Sequence, residues 1–206
     1  MITTKLSGQK GIVVWLLGLS GAGKSTIAQL LEQHLTLNGY FSIRLDGDAL
    51  RETVNKGLGF SDDERAENIR RTAEMASLLC ANNVITICSL ITPLNRHRDI
   101  ARNILGDNYH EVFVDCPLEV CVGRDVKGLY QQAFKKEIRN FTGIGSSFEA
   151  PAQPWLTLQA HNTTAQECTA KLYNAILPLI TAEVAQPGTQ SPDLAEMAYY
   201  TETARR

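Results

Sequence analysis

The residues with the clearest chemical potential are Gly18-Leu19-Ser20-Gly21-Ala22-Gly23-Lys24-Ser25-Thr26. They fit the pattern G-x-x-x-x-G-K-[ST], between an apolar run at Ile12–Leu17 and a helical pattern that starts at Lys24. Glycines let successive backbone N–H groups curl around phosphate oxygens, and the following helix turns its positive end toward them. Lys24 would reach the β- and γ-phosphates of a nucleotide, and the Ser25 hydroxyl would be a ligand for Mg²⁺. No Asn/Thr-Lys-x-Asp element for reading guanine is present, which favours ATP as the nucleotide. A glycine-rich connector without chemistry is the plainer alternative.

A second group lies at Leu45-Asp46-Gly47-Asp48, with Arg51 three residues on. Two carboxylates at the carboxyl end of a strand could orient an acceptor hydroxyl, take its proton, or help hold Mg²⁺. Asp48 is the first choice for the acceptor role, and a helix-capping turn is its alternative. Arg65, Asn68 and Arg71 recur every three residues, which on a helix gives one stripe able to grip an anion. The same stripe could be a solvated face. Phe60 and Phe141, each beside a glycine in a loop-like stretch, could stack on a base or belong to the core. His34, His97, His110 and His161 show no metal-ligand spacing.

These groups need a scaffold. Short β-branched runs at Ile12–Leu17, Phe41–Leu45, Val84–Cys88, Val112–Val114 and Trp155–Leu158 suit strands buried on both faces. Helical patterns at 24–38, 62–81 and 164–180 separate them, with Ser61 and Asp62 as candidate caps. The alternation predicts an α/β, doubly wound parallel sheet of about five strands, with ligands at the carboxyl ends of the strands. Residues 127–150 carry no strand period and read as a lid. One domain is expected over residues 1–183, and 184–206 read as a loose tail.

Composition narrows the partners. Twenty Lys+Arg against 22 Asp+Glu give a formal charge of -2, so no global basic field points to nucleic acid or a membrane surface. Five cysteines without a C-x-x-C pair suit free thiols rather than a disulfide or zinc framework. No apolar run is long enough to span a bilayer, and residues 1–10 lack a signal core, so the cytoplasm is the expected location.

Taken in order, GLSGAGKSTIA at 18–28, LDGD at 45–48 with Arg51, LGFS at 58–61, DERAENIRR at 63–71, PLEVC at 117–121, RDVKGLY at 124–130, FTGI at 141–144 and FEAP at 148–151 resemble the adenylylsulfate kinases. The resemblance covers residues 11 to about 160 and implies a P-loop NTPase-type fold. It also implies transfer of the γ-phosphoryl group of MgATP to the 3′-hydroxyl of adenosine 5′-phosphosulfate. Arg51, Arg65 and Asn68 match positions that hold the phosphosulfate, and Phe60 and Phe141 match the pair that sandwiches its adenine. Lys127 and the Gly128-Leu129-Tyr130 stretch match the lid, Asp48 the carboxylate near the acceptor hydroxyl, and Ser89 to Ile91 the substrate-lining segment. The resemblance is compatible with a homodimer, whose interface the sequence does not identify.

Three stretches depart from the family pattern. The usual S-F-I-S-P is Ser89-Leu90-Ile91-Thr92-Pro93, so Thr92 stands where a serine is often described as a phosphorylated intermediate. It is counted here as a candidate catalytic hydroxyl, although in-line transfer needs only positioning and charge stabilisation. D-G-D-N-V-R has become D-G-D-Ala49-Leu50-Arg51, and F-T-G-I-D-S-P-Y-E has become F-T-G-I-Gly145-Ser146-Ser147-Phe148-Glu149. A kinase of another small hydroxyl compound, or a nucleotide-binding regulatory module without turnover, are the competing readings.

Overall fold

In the computed structural model, residues 8–138 and 140–181 are described. The tail expected at 184–206 lies outside them. Strand β1 (Val13–Leu17) is buried along its whole length, and its side chains divide by alternation. Val14 and Leu16 enter one apolar layer, while Val13, Trp15 and Leu17 enter the other. That two-sided burial is why the run reads as continuously apolar.

The first layer is closed by helix α1 (Lys24–Leu37), through Ile27, Leu31 and Leu35, and by α7 (Ala165–Ile180), through Leu172, Ile176 and Ile180. The helix α1 ends as its sequence predicts. Gly39 takes a left-handed φ of 81°, the Tyr40 N–H reaches the Leu35 carbonyl at 2.9 Å, and the Gly39 N–H reaches Thr36 at 3.1 Å. The second layer is closed by α3 (Asp62–Cys80), through Ile69, Ala73 and Ala76, and by α4 (Asn95–Leu105), through Ala101 and Leu105.

Between these run β2 (Ser42–Asp46), α2 (Gly47–Glu52), β3 (Ile85–Ser89), β4 (Tyr109–Asp115), α5 (Leu118–Arg124), α6 (Leu129–Phe134) and β5 (Leu156–Gln159). All strand pairs are parallel, in the order β2-β3-β1-β4-β5. The chain visits β2 and β3 on one side of β1 before crossing to β4 and β5 on the other. The crevice at the carboxyl end of β1 is thus where this class of sheet binds ligands. The expected doubly wound sheet of five strands is the one observed. β4 is longer than the Val112–Val114 run suggested, because its outer residues Tyr109, His110, Glu111 and Asp115 carry polar groups and do not extend an apolar run. Residues 127–150 are not uniformly irregular: they contain α6, anchored by the buried Tyr130 and Ala133.

Candidate active site

The loop after β1 is built around Gly18. Its φ is 144°, and a Cβ there would lie 2.5 Å from the Val114 carbonyl oxygen on β4, so only glycine fits. Its N–H donates to the Ile91 carbonyl at 3.3 Å. Gly23 is also left-handed and starts α1, whose first residues, Lys24 and Ser25, face the loop. Lys24 Nζ donates to the Gly18 and Leu19 carbonyls at 3.0 and 2.7 Å. Burial brings the Lys24 ammonium down to about 8, although Cys121, Asp48 and Asp46 all pull the other way. A buried cation with only carbonyl partners stands ready for an anion.

Asp46 and Ser89 are paired across β2 and β3, which puts Ser89 Oγ 2.8 Å from Asp46 Oδ2. Ser25 Oγ donates to the same oxygen at 2.7 Å, and Asp46 Oδ1 accepts the Asp48 N–H at 3.0 Å. Burial alone would raise this carboxyl. The hydroxyls of Ser25 and Ser89 and the N–H groups of Asp48 and Ala49 outweigh it and hold Asp46 below its usual value. Asp46 is therefore the N-cap of α2. This settles the capping alternative for Asp48: its neighbour caps the helix, and the Asp48 carboxylate is exposed and turned to an ion pair with Lys127. The oxygen pair Ser25 Oγ and Asp46 suits a hard cation, and Mg²⁺ beside phosphates needs only one or two protein ligands.

The arginines organise an aromatic ledge. Arg51 Nη1 donates to the Leu58 and Gly59 carbonyls at 3.0 and 2.7 Å, and its guanidinium carbon sits 4.5 Å from the Phe60 ring centre. Arg65 donates through Nε to the Phe60 carbonyl and through Nη2 to the Asn140 carbonyl, joining the stretch that carries Phe60 to the one that carries Phe141. Burial lowers the pKa of both guanidinia. Phe60 is 50% exposed. Phe141 is 8% exposed and meets Tyr130 edge-on at 5.0 Å, so it is both core and rim. Arg65 and Asn68 are buried, with Asn68 Oδ1 accepting from Asn55 at 2.9 Å, which excludes the solvated-face reading for them. Arg71 pairs with Glu67 and stands apart.

The segment after α5 packs against the loop. Gly128 is left-handed and starts α6 with Leu129, and Tyr130 Oη donates to the Ser20 carbonyl at 3.0 Å. Further along, Gly143 lies so close to Leu118 and Leu19 that a Cβ would be 3.1 and 3.4 Å from their methyl groups. Thr92 differs from the other site candidates. Its hydroxyl accepts the Trp15 indole N–H at 2.9 Å, on the α3/α4 side of the sheet.

Sequence reasoning passed over Arg124 and the anchoring role of Tyr130. Arg124 donates to the Ala160 carbonyl at 2.7 Å and reaches the Gly21 carbonyl at 3.5 Å, so it sets the turn after β5 beside the phosphate loop. The only signal was a basic residue closing a short helix, with its partner 36 residues away.

Fold and site together are those of a P-loop kinase, an enzyme that moves a phosphoryl group from ATP to a hydroxyl. More narrowly, the family model for adenylylsulphate kinase matches residues 10–159, and the chain belongs to that family. It is 47% identical over 168 residues to the adenylyl-sulfate kinase of Clostridium kluyveri, covering 82% of this chain and 84% of that one. With the adenylyl-sulfate kinase of Aeromonas salmonicida it shares 51% over 156 residues, covering 75% and 80%. Among solved structures, the Mycobacterium tuberculosis APS kinase CysC in complex with AMPPNP and APS superposes with a TM-score of 0.79 at 40% identity, covering 82% and 98%. A shikimate kinase from Acinetobacter baumannii, 16% identical with a TM-score of 0.52 and covering 82% and 94%, shares the fold alone.

Proposed function

We propose that this enzyme phosphorylates the 3′-hydroxyl of adenosine 5′-phosphosulfate. The observation that carries the reading is the convergence, at one end of the sheet, of Lys24 and the exposed Asp48 carboxylate with the Arg51–Phe60–Arg65 ledge. A phosphate cradle alone would suit any P-loop kinase. A ledge with an aromatic face and two guanidinia suits an acceptor that has both a base and an anionic tail.

In this reading residues 18–26 hold the ATP phosphates. Phe60 and Phe141 flank the acceptor's adenine, and Arg51, Arg65 and Asn68 hold its phosphosulfate against the Ser89–Ile91 segment. The acceptor oxygen bonds to the γ-phosphorus as the bond to the ADP oxygen breaks. Asp48 orients the hydroxyl and takes its proton, while Lys24 and Lys127 balance the charge on the transferring group. Ser25 and Asp46 would hold Mg²⁺, which would supply positive charge to offset that of the ATP phosphates. The five free, buried cysteines support a reducing compartment such as the cytoplasm, and no described helix is long and apolar enough to cross a membrane.

The test is ADP release from MgATP with adenosine 5′-phosphosulfate, against AMP, other nucleotides and small alcohols. Turnover confined to the phosphosulfate is expected. Tight ATP binding with turnover only on another acceptor would overturn the assignment.

A further inference from the structure

The β3–α4 connection carries an unusual residue next to Ile91, whose carbonyl meets the phosphate loop at Gly18. Thr92 is β-branched yet has a φ of 45°, a left-handed backbone that such residues avoid, and it precedes Pro93, which narrows its choices further. It is 2% exposed. Backbone strain of this kind persists only when neighbours enforce it, and the neighbours here are identifiable. The Leu90 N–H donates to the Leu16 carbonyl at 3.1 Å, the Ile91 carbonyl accepts the Gly18 N–H at 3.3 Å, and the Pro93 carbonyl accepts the Glu149 N–H at 2.8 Å. Between them, the fully buried Trp15 donates its indole N–H to Thr92 Oγ1 at 2.9 Å.

We propose that Thr92 is a positioning residue, locked by Trp15, which holds the Ile91 carbonyl under Gly18 and so sets the phosphate cradle, and that its hydroxyl never carries the phosphoryl group. A left-handed residue turns the peptide plane before it, so the Ile91 carbonyl meets the end of β1 instead of continuing along β3. The chain of contacts then runs from Trp15 to Thr92, from Ile91 to Gly18, and from the Gly18 carbonyl to Lys24 Nζ. A threonine can replace a serine here because the position requires a hydrogen-bond acceptor for a buried indole. That hydroxyl is engaged by Trp15, a member of the α3/α4 layer. The part of this inference that concerns phosphoryl transfer rests on the function proposed above. The part that concerns the cradle does not.

The experiment compares Thr92→Val, Thr92→Ser, Thr92→Asn and Trp15→Phe by MgATP affinity in calorimetry, turnover with adenosine 5′-phosphosulfate, and intact mass after incubation with MgATP. Valine keeps the branched shape and removes the acceptor. Asparagine keeps an acceptor, tolerates a left-handed backbone and has no hydroxyl to phosphorylate. Thr92→Val and Trp15→Phe should each weaken ATP binding about tenfold, and the double variant should be no worse than either. Thr92→Ser and Thr92→Asn should stay within about threefold of the parent in both affinity and turnover, with no phosphoryl adduct on the parent protein. Unchanged ATP affinity in Thr92→Val and Trp15→Phe would overturn the proposal. So would a phosphoryl group mapped to Thr92, or loss of turnover in Thr92→Asn. Should Thr92→Val fail to fold, Trp15→Phe decides the affinity question. Absence of turnover by the parent with every acceptor would defeat the functional reading and leave the affinity comparison valid.

Discussion

Lys24 is the residue at which function and stability conflict most directly. Its ammonium is buried against two carbonyls, and burial lowers its pKa from 10.5 to about 8. Between those values the unfolded chain binds more protons than the folded one, so the stability of the nucleotide-free protein rises with pH in that window. Below about pH 8 the full penalty applies. Lys24→Met should therefore raise the Tm of the nucleotide-free protein at pH 7 by about 2–4 °C, with the gain shrinking toward pH 10.5, while turnover falls by about 10²–10³-fold. Thermal unfolding across pH 6 to 10 and ADP release check the two halves separately. Phe60 offers the complementary case. Being half exposed and stacked on Arg51, it should lose little stability when cut to alanine, and Phe60→Ala should raise the acceptor KM at least about tenfold with kcat changed less. Phe141 is a poorer probe, because its contact with Tyr130 makes it part of the core as well.

Elements show where sequence was a sufficient guide and where it was not. β1, α1, α3 and α7 were legible because each has a strong period or a sharp boundary. Ser61 caps α3 with Glu64 in a reciprocal box, and Thr164 and Glu167 do the same for α7. The short helices α2, α5 and α6 were not legible, since six or seven residues give too few turns for periodicity to register. The phosphate loop and the DGD carboxylates could be found because their spacing is local. The division of labour between Asp46 and Asp48 could not, because it depends on Ser25 and Ser89, which arrive from other elements. Arg124 and Trp15 were missed for the same reason. The segment around α6, within the stretch whose sequence reads as a lid, carries the most direct prediction. α6 is tied down by the Tyr130 hydroxyl on Ser20 and by the Lys127–Asp48 ion pair, and the exposed Lys135 and Lys136 follow it. Tyr130→Phe should speed tryptic cleavage after Lys135 and Lys136 several-fold, read by mass spectrometry of timed digests, and MgATP should restore protection.

Across the whole molecule, one sheet separates two apolar layers, and the site lies at its central strand. The larger layer, under α1 and α7, is the main source of stability. Leu31→Ala, at a fully buried position in it, should cost about 2–5 kcal/mol in denaturant unfolding without altering the chemistry of any site residue. Placing the phosphate loop directly after β1 has a further effect on the timescale of motion. β1 is hydrogen-bonded on both edges, to β3 and to β4, so its backbone amides are released to solvent only when the sheet itself comes apart. In hydrogen–deuterium exchange, Val13–Leu17 should be among the slowest amides in the chain, and the segment around α6 among the fastest. A nucleotide held at Gly18–Thr26 would thus rest on a floor that moves only with global unfolding, beside an α6 segment that opens many times over within that interval.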